Sequence, residues 1–263
     1  LANQFRVPIC FRAAGTSLSG QAITDSVLVK LSDQWQDFTL INNGEKIKMQ
    51  CGVLGSQANY ALAPLGYKLG PMPASIDAAT AGGMAINNAA GMNSLDSYGQ
   101  MQSASFIFSD GSHLDTGDFS KGGSREQFLA SHQQWCDTIL NLREQIHSKP
   151  ELVEKITTKF QIKNTTGLSL RAFIDFDDPI DIIAHLMIGS EGTLGFIESI
   201  THRTVPVYEF QATALIMFES MQDAGQAIQR FKTMGLAAAE RIDCNALTAV
   251  SDHAGIGDML AQL

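Results

Sequence analysis

Arg12-Ala-Ala-Gly-Thr-Ser-Leu-Ser-Gly20 is the stretch on which the reading of this 263-residue chain turns. Two glycines frame small and hydroxylated residues, and apolar, strand-like runs flank the loop at residues 7–11 and 26–31. Glycine accepts positive φ and lets backbone approach a ligand, so neighbouring N–H groups become anion donors. Two distant segments repeat the pattern: Gly82-Gly-Met-Ala-Ile-Asn-Asn-Ala-Ala-Gly91 and Gly189-Ser-Glu-Gly-Thr-Leu-Gly195. Any one of them reads as an ordinary turn. Three together, each beside a strand-like or helical run, point to one extended phosphate-bearing ligand held from several sides.

The common nucleotide loops do not fit. Gly15 and Gly20 have P-loop spacing, but Gln21 and Ala22 stand where Lys and Ser/Thr are needed, which argues against nucleotide hydrolysis. No strand–G-x-G-x-x-G–helix unit with a downstream acid occurs, which disfavours a Rossmann site.

The pattern resembles the FAD-binding domain of the vanillyl-alcohol oxidase or PCMH type over residues 7–205. The first loop is similar to that family's R-x-x-G-T-x-L-S-G segment. Gly70-Pro-Met-Pro-Ala-Ser-Ile76 with Ala81-Gly-Gly and Asn88-Ala-Ala-Gly91 is similar to its second segment, and Gly189 to Gly195 with Phe196-Ile197 to its G-S-E-G-T-L-G-x-I segment. Within the superfamily the chain resembles bacterial FAD and iron–sulfur dehydrogenases of D-lactate or D-2-hydroxyglutarate. The carrying residues are the first loop extended to Asp25, Ile162-Lys-Asn-Thr-Thr-Gly167, and Asp178-Pro179 leading to His185-Leu-Met-Ile-Gly-Ser-Glu191. Met72 replaces an acid, Leu168 a Tyr and Arg171 an Asn of that group; the last two bear on the substrate, and none of the three on FAD. Members that link FAD covalently through this loop carry His where this chain has Thr16, so the flavin is expected to be non-covalent.

The resemblance implies an α+β fold: residues 1–205 as a PCMH-type FAD-binding domain of two α/β subdomains, the first lacking its opening strand–helix unit, and 206–263 as the truncated beginning of an α+β ferredoxin-like substrate-binding cap. The chain is thus expected to be part of a longer enzyme and inactive alone. Backbone donors of Ala14, Gly15, Thr16, Ser17, Leu18 and Ser19 would meet the pyrophosphate, with Arg12 and Ala13 of the same loop also cofactor-binding. Gly82, Gly83, Asn88 and Gly91 would contact the diphosphate and ribityl side, and Glu191 and the backbone near Ile197 the ribose and adenine; Pro73, Ser75, Gly192 and Gly195 would also be cofactor-binding. The implied reaction oxidises a D-2-hydroxy acid: a base takes the hydroxyl proton while hydride passes from Cα to flavin N5. The base, the metal-binding histidines and any iron–sulfur cluster would lie beyond Leu263. The alternatives are another PCMH-fold flavoenzyme, against which residues 163–167 and the cap-like tail argue, and a non-catalytic FAD-binding or electron-relay module.

Composition sets the outer bounds. Lys and Arg total 18 against 27 acids, so the net charge of −9 argues against nucleic-acid partners. A substrate carboxylate would need a local basic cluster, and none is apparent. No apolar run approaches a bilayer span; a cytoplasmic location is expected, with peripheral membrane association open for the full-length enzyme. Cys10, Cys51, Cys136 and Cys244 are single and widely spaced, and the six histidines lack metal-ligand spacing, so no metal is expected here. His185, on the helix entering Gly189, is expected to pack.

Hydrophobic periodicity places the motifs. Asn43-Gly44 and Asp110-Gly111 predict hairpins. Ser56 is expected to cap a helix ended by Gly66, residues 124–147 to form one amphipathic helix, and Asp178-Pro179 to start a helix reaching about residue 187. Residues 196–205 read as a strand, and 211–243 as strand, helix, strand.

Overall fold

A computed structural model of the chain describes residues 1–31, 33–91, 95–117, 124–231, 233–251 and 253. They divide into two compact units, Leu1–Val207 and Tyr208–Leu263. The fold is mixed α and β, as the motifs imply.

An antiparallel sheet organises the first unit. Its centre is β8 (Gly195–Pro206), twelve residues rich in β-branched side chains, which suit a pleated surface covered on both faces. On one side β8 pairs with β4 (Lys46–Gln50), which pairs with β3 (Phe38–Ile41); on the other it pairs with β6 (Met101–Phe108), which pairs with β7 (His113–Asp115). β5 (Tyr67–Leu69) joins the far end of β8. Both expected hairpins are present. The first is wider than a two-residue turn, because Asn42, Asn43 and Gly44 all take positive φ (51°, 53° and 96°) between paired Ile41 and Lys46. A separate parallel pair, β1 (Ile9–Arg12) and β2 (Val27–Lys30), brackets the first glycine loop.

Helices cover the sheet. The core includes Ile47, Met49, Phe106, Leu114, Ile197 and Ile200 from strands. Facing them are Leu62 of α2 (Gly55–Leu62), Met84 of α3 (Ala81–Ile86) and Ile180, Ile182 and Met187 of α9 (Pro179–Met187). Asp178 caps α9, its Oδ1 accepting from Ile180 N–H at 2.9 Å. α1 is Ala2–Phe5, α4 Ser97–Gln100, α7 Pro150–Lys159 and α8 Ala172–Asp175.

Three local expectations change. Ser56 lies inside α2; the helix starts at Gly55, and Gln57 Oε1 accepts from Leu54 N–H at 3.0 Å instead. Residues 124–147 form two helices, α5 (Ser124–Ser131) and α6 (Gln133–His147). The break at His132 lets its ring stack on Phe128 with centroids 4.2 Å apart and meet Asp110 Oδ2 at 3.2 Å. In the second unit α10 (Met221–Phe231) and α11 (Cys244–Val250) form, but residues 211–218 and 237–243 carry no strand ladder. A strand needs a partner for its N–H and C=O groups, and no strand pairs there among the described residues.

Candidate functional site

The first glycine loop projects from the parallel pair with its donors free. Among the described residues, no backbone N–H from Ala14 to Ser19 donates to another protein group. Ala14, Gly15, Thr16, Leu18 and Ser19 are exposed, while Ala13 and Ser17 are half-buried. Gly15 (φ 73°) and Gly20 (φ 74°) turn the chain in the left-handed region. A Cβ at Gly15 would stand 2.7 Å from Arg12 Nε, so the guanidinium folds against the bend. A permanent cation beside unengaged amides is a setting for a diphosphate, since charge-assisted hydrogen bonds are the strong ones.

The second segment is built the other way, with many of its polar groups engaged by the protein itself. Gly82 N–H donates to Cys51 O at 2.9 Å, and a Cβ there would lie 2.7 Å from Cys51 Cβ. Asn88, at φ 48° and buried, accepts from Tyr98 N–H at 2.9 Å and donates to Asp96 Oδ2 at 3.4 Å. Gly91 (φ 100°) packs so tightly that a Cβ would fall 1.8 Å from Met72 O. Met72 N–H donates to Ala90 O at 2.6 Å, which lays the stretch carrying Pro73 and Ser75 alongside. That stretch turns on itself, Ile76 N–H donating to Pro73 O and Ala79 N–H to Ser75 O. Gly83 alone of the segment's predicted glycines keeps room, its nearest neighbour being the Thr80 Oγ1 that caps α3.

The third segment docks on α3. Gly189 N–H donates to Ala85 O at 3.1 Å and Glu191 N–H to Ile86 O at 3.0 Å. Gln21, the residue after the first loop, hydrogen-bonds the Glu191 side chain. Sequence-distant segments thereby meet in one place. At this seam Gln21 Oε1, Ser190 Oγ and Glu191 Oε2 are buried without a hydrogen-bond partner. Each such atom costs about 1–3 kcal/mol if left so, and in native proteins it is normally satisfied. Gly192 is exposed, with open space where a Cβ would stand. Burial raises the Glu191 carboxyl above its usual range, opposed by the Gln21 hydrogen bond. Gly195 and Ile197 belong to the sheet: a Cβ at Gly195 would meet Ile107 O at 2.8 Å, and the Ile197 side chain is in the core.

These features fit FAD. Free amides and Arg12 suit its diphosphate, and the orphaned acceptors at the seam suit hydroxyl or amide donors. Gln21 and Ser190 lie in motifs that carry the resemblance but are not among the cofactor-binding residues named from it. The buried atoms left unpartnered are the signal, and they exist only in three dimensions.

Other polar clusters have different chemistry. His185 stacks on Phe176 at 4.0 Å with Nδ1 2.8 Å from Asp181 O, and burial holds its pKa below the usual value. Ser105, His113 and Glu198 converge, but Ser105 Oγ and Glu198 Oε2 both meet the same His113 Nε2, at 2.7 and 3.1 Å. A nucleophilic relay needs them on opposite ring nitrogens. Among the described residues no three His, Cys, Asp or Glu side chains are placed to hold a metal, and no helix is long and apolar enough to cross a membrane.

Comparison with known proteins agrees with the geometry. A family model described as an FAD binding domain matches residues 1–117. The chain is 26% identical over 231 residues to a D-2-hydroxyglutarate dehydrogenase of Pseudomonas putida, covering 83% of this chain and 22% of that protein. It is 26% identical over 224 residues to a D-lactate dehydrogenase of Archaeoglobus fulgidus, covering 85% and 39%. It is 25% identical over 261 residues to the glycolate oxidase subunit GlcD of Escherichia coli, covering 96% and 42%. The chain therefore spans about a fifth to two fifths of the length of these relatives. A solved alkyldihydroxyacetonephosphate synthase shares the fold with a TM-score of 0.54 and 15% identity, over 89% of this chain and 34% of that one.

Proposed function

We infer, from the premise that this chain carries an FAD-binding domain of the PCMH type, that it is the flavin-holding portion of an oxidoreductase acting on D-2-hydroxy acids. The free amides of Ala14 to Ser19 beside Arg12 carry the reading, with the seam of Gln21, Ser190 and Glu191 as its second support. The names of the relatives supply the substrate class. A bound flavin would supply the electron-accepting ring. The chain's own work is to bind and orient. Arg12 and the loop amides neutralise the diphosphate, Gln21 and Glu191 accept from hydroxyl groups, and the engaged second segment fixes where those groups stand. We assign residues 206–263 to the start of a substrate-side cap. Thr16, lacking a nucleophilic ring nitrogen, leaves the flavin non-covalent.

The test is the visible spectrum of the purified chain, reconstituted with FAD, before and after acid precipitation. A flavin band released to the supernatant is expected. Flavin retained in the pellet would overturn the assignment from Thr16. No uptake at any FAD concentration would overturn the cradle.

A further inference from the structure

No basic cluster for a substrate carboxylate is visible along the sequence, yet the fold assembles one. A cavity of about 210 Å³ is lined by Leu95, Asp96, Gly99, Phe160, Lys163 and Arg171 among others. Its two cations come from separate turns of a chain whose net charge is −9. Both are held in place. The Arg171 guanidinium lies 3.8 Å above the Tyr98 ring, with Nε 3.3 Å from Asp175 Oδ2. Lys163 Nζ donates to Gly91 O at 3.0 Å, which leaves two of its three N–H donors. Among the described lining residues Asp96 is the sole acid, and both its oxygens are engaged, by Gly99 N–H at 2.8 Å and Asn88 Nδ2 at 3.4 Å. Leu95 and Phe160 supply apolar wall.

Two held cations in a small cavity whose lining is mostly polar, with Leu95 and Phe160 at its side, suit the charged head of a small anion. We propose that this cavity is a binding site for a small carboxylate, and that Lys163 and Arg171 are its specificity-determining residues. Arg171 stands where the resembled dehydrogenases carry Asn, so this contact would be particular to this chain. The choice of a 2-hydroxy acid among small carboxylates rests on the proposed function; the cavity does not.

Calorimetric titration of the full chain with D-2-hydroxyglutarate, D-lactate and inorganic phosphate tests the site. A carboxylate should bind, weaken with added salt, and lose about tenfold in affinity in Lys163→Gln, the scale of one charge-assisted contact. Arg171→Gln should lose more, and Arg171→Lys should recover part. Lys163 is exposed, so its variant folds even if the Arg171 variants do not. Equal affinity in wild type and Lys163→Gln, no heat with either carboxylate, or phosphate binding without carboxylate binding would each overturn the proposal. FAD uptake, read separately in the visible spectrum, should be unchanged in Lys163→Gln. Intact carboxylate binding without FAD uptake would sink the flavin reading and leave this one standing.

Discussion

The first and second glycine segments use the same residue for opposite ends. In the first, glycines turn an exposed loop and leave its amides free. In the second, glycines let backbone segments touch, as Gly82 does with Cys51 and Gly91 with Met72. One segment presents free donors, and the other packs its backbone against neighbouring backbone as a scaffold. Glycine frequency therefore marks the site without saying which glycine faces the ligand; where the neighbouring N–H groups go decides that.

The contrast breaks most visibly at Gly91. An alanine there would carry its Cβ into Met72 O and hold a left-handed φ, so Gly91→Ala should cost about 3 kcal/mol or more of stability. Urea denaturation measures it. A loss below about 1 kcal/mol would mean that the two backbone segments move apart easily and the scaffold assignment is wrong.

The scaffold also hides a titratable group. His202 lies in the centre of β8, between Ile47 and Met101 in register, fully buried with neither ring nitrogen hydrogen-bonded. Burial pushes its pKa from 6.5 down to about 4. The folded chain keeps the ring neutral where the unfolded chain takes up a proton. Stability is then complete above about pH 6.5 and falls as pH drops towards 4, by about 3 kcal/mol in all. Denaturation midpoints across that window should show this slope, and His202→Leu should flatten it. Equal slopes in both proteins would assign the acid sensitivity elsewhere.

Gly15 sits on the other side of the comparison. Gly15→Ala meets only the movable end of Arg12 but keeps φ at 73°, so about 1–2 kcal/mol of stability should go. FAD affinity should fall about tenfold or more, because the bend sets the direction of the amides. Fluorescence titration with FAD separates the two effects. A Gly15 variant that loses stability and keeps its affinity would erase the distinction between donor surface and scaffold.

Much of this was readable in the sequence. The glycine segments, the two hairpins, the Asp178 cap and the strand before Pro206 announce themselves through local chemistry, and local chemistry is what a sequence displays. What escaped is set by partners. The break at His132 depends on stacking with Phe128, and the cation pair of Lys163 and Arg171 depends on a shared cavity. Residues 211–218 carry apolar side chains that suit a strand, but among the described residues no neighbouring strand receives their backbone. The proposed cofactor-binding residues fall into two groups in the fold. Gly82, Asn88, Gly91, Gly195 and Ile197 share motifs with the exposed loop residues, while their own contacts run to other parts of the protein.

Gln21 offers the finest test, because it belongs to neither half of the contrast and links the first loop to the third. Its side chain bonds Glu191, while Gln21 Oε1 and Glu191 Oε2 stay unpartnered. Gln21→Leu removes one orphaned acceptor and one donor to a carboxyl that burial already makes harder to ionise, so the stability terms oppose each other. The net change should stay below about 1 kcal/mol. FAD affinity should still fall roughly threefold to tenfold, since an acceptor for its hydroxyl groups is gone and the loops lose their clasp. Because the Gln21 hydrogen bond lowers the Glu191 pKa, its loss should move the acid limb of FAD binding to higher pH. Fluorescence titrations at several pH values read both effects. Unchanged affinity with an unmoved acid limb would show that the seam lies outside the flavin cradle, and that the first loop binds without the third.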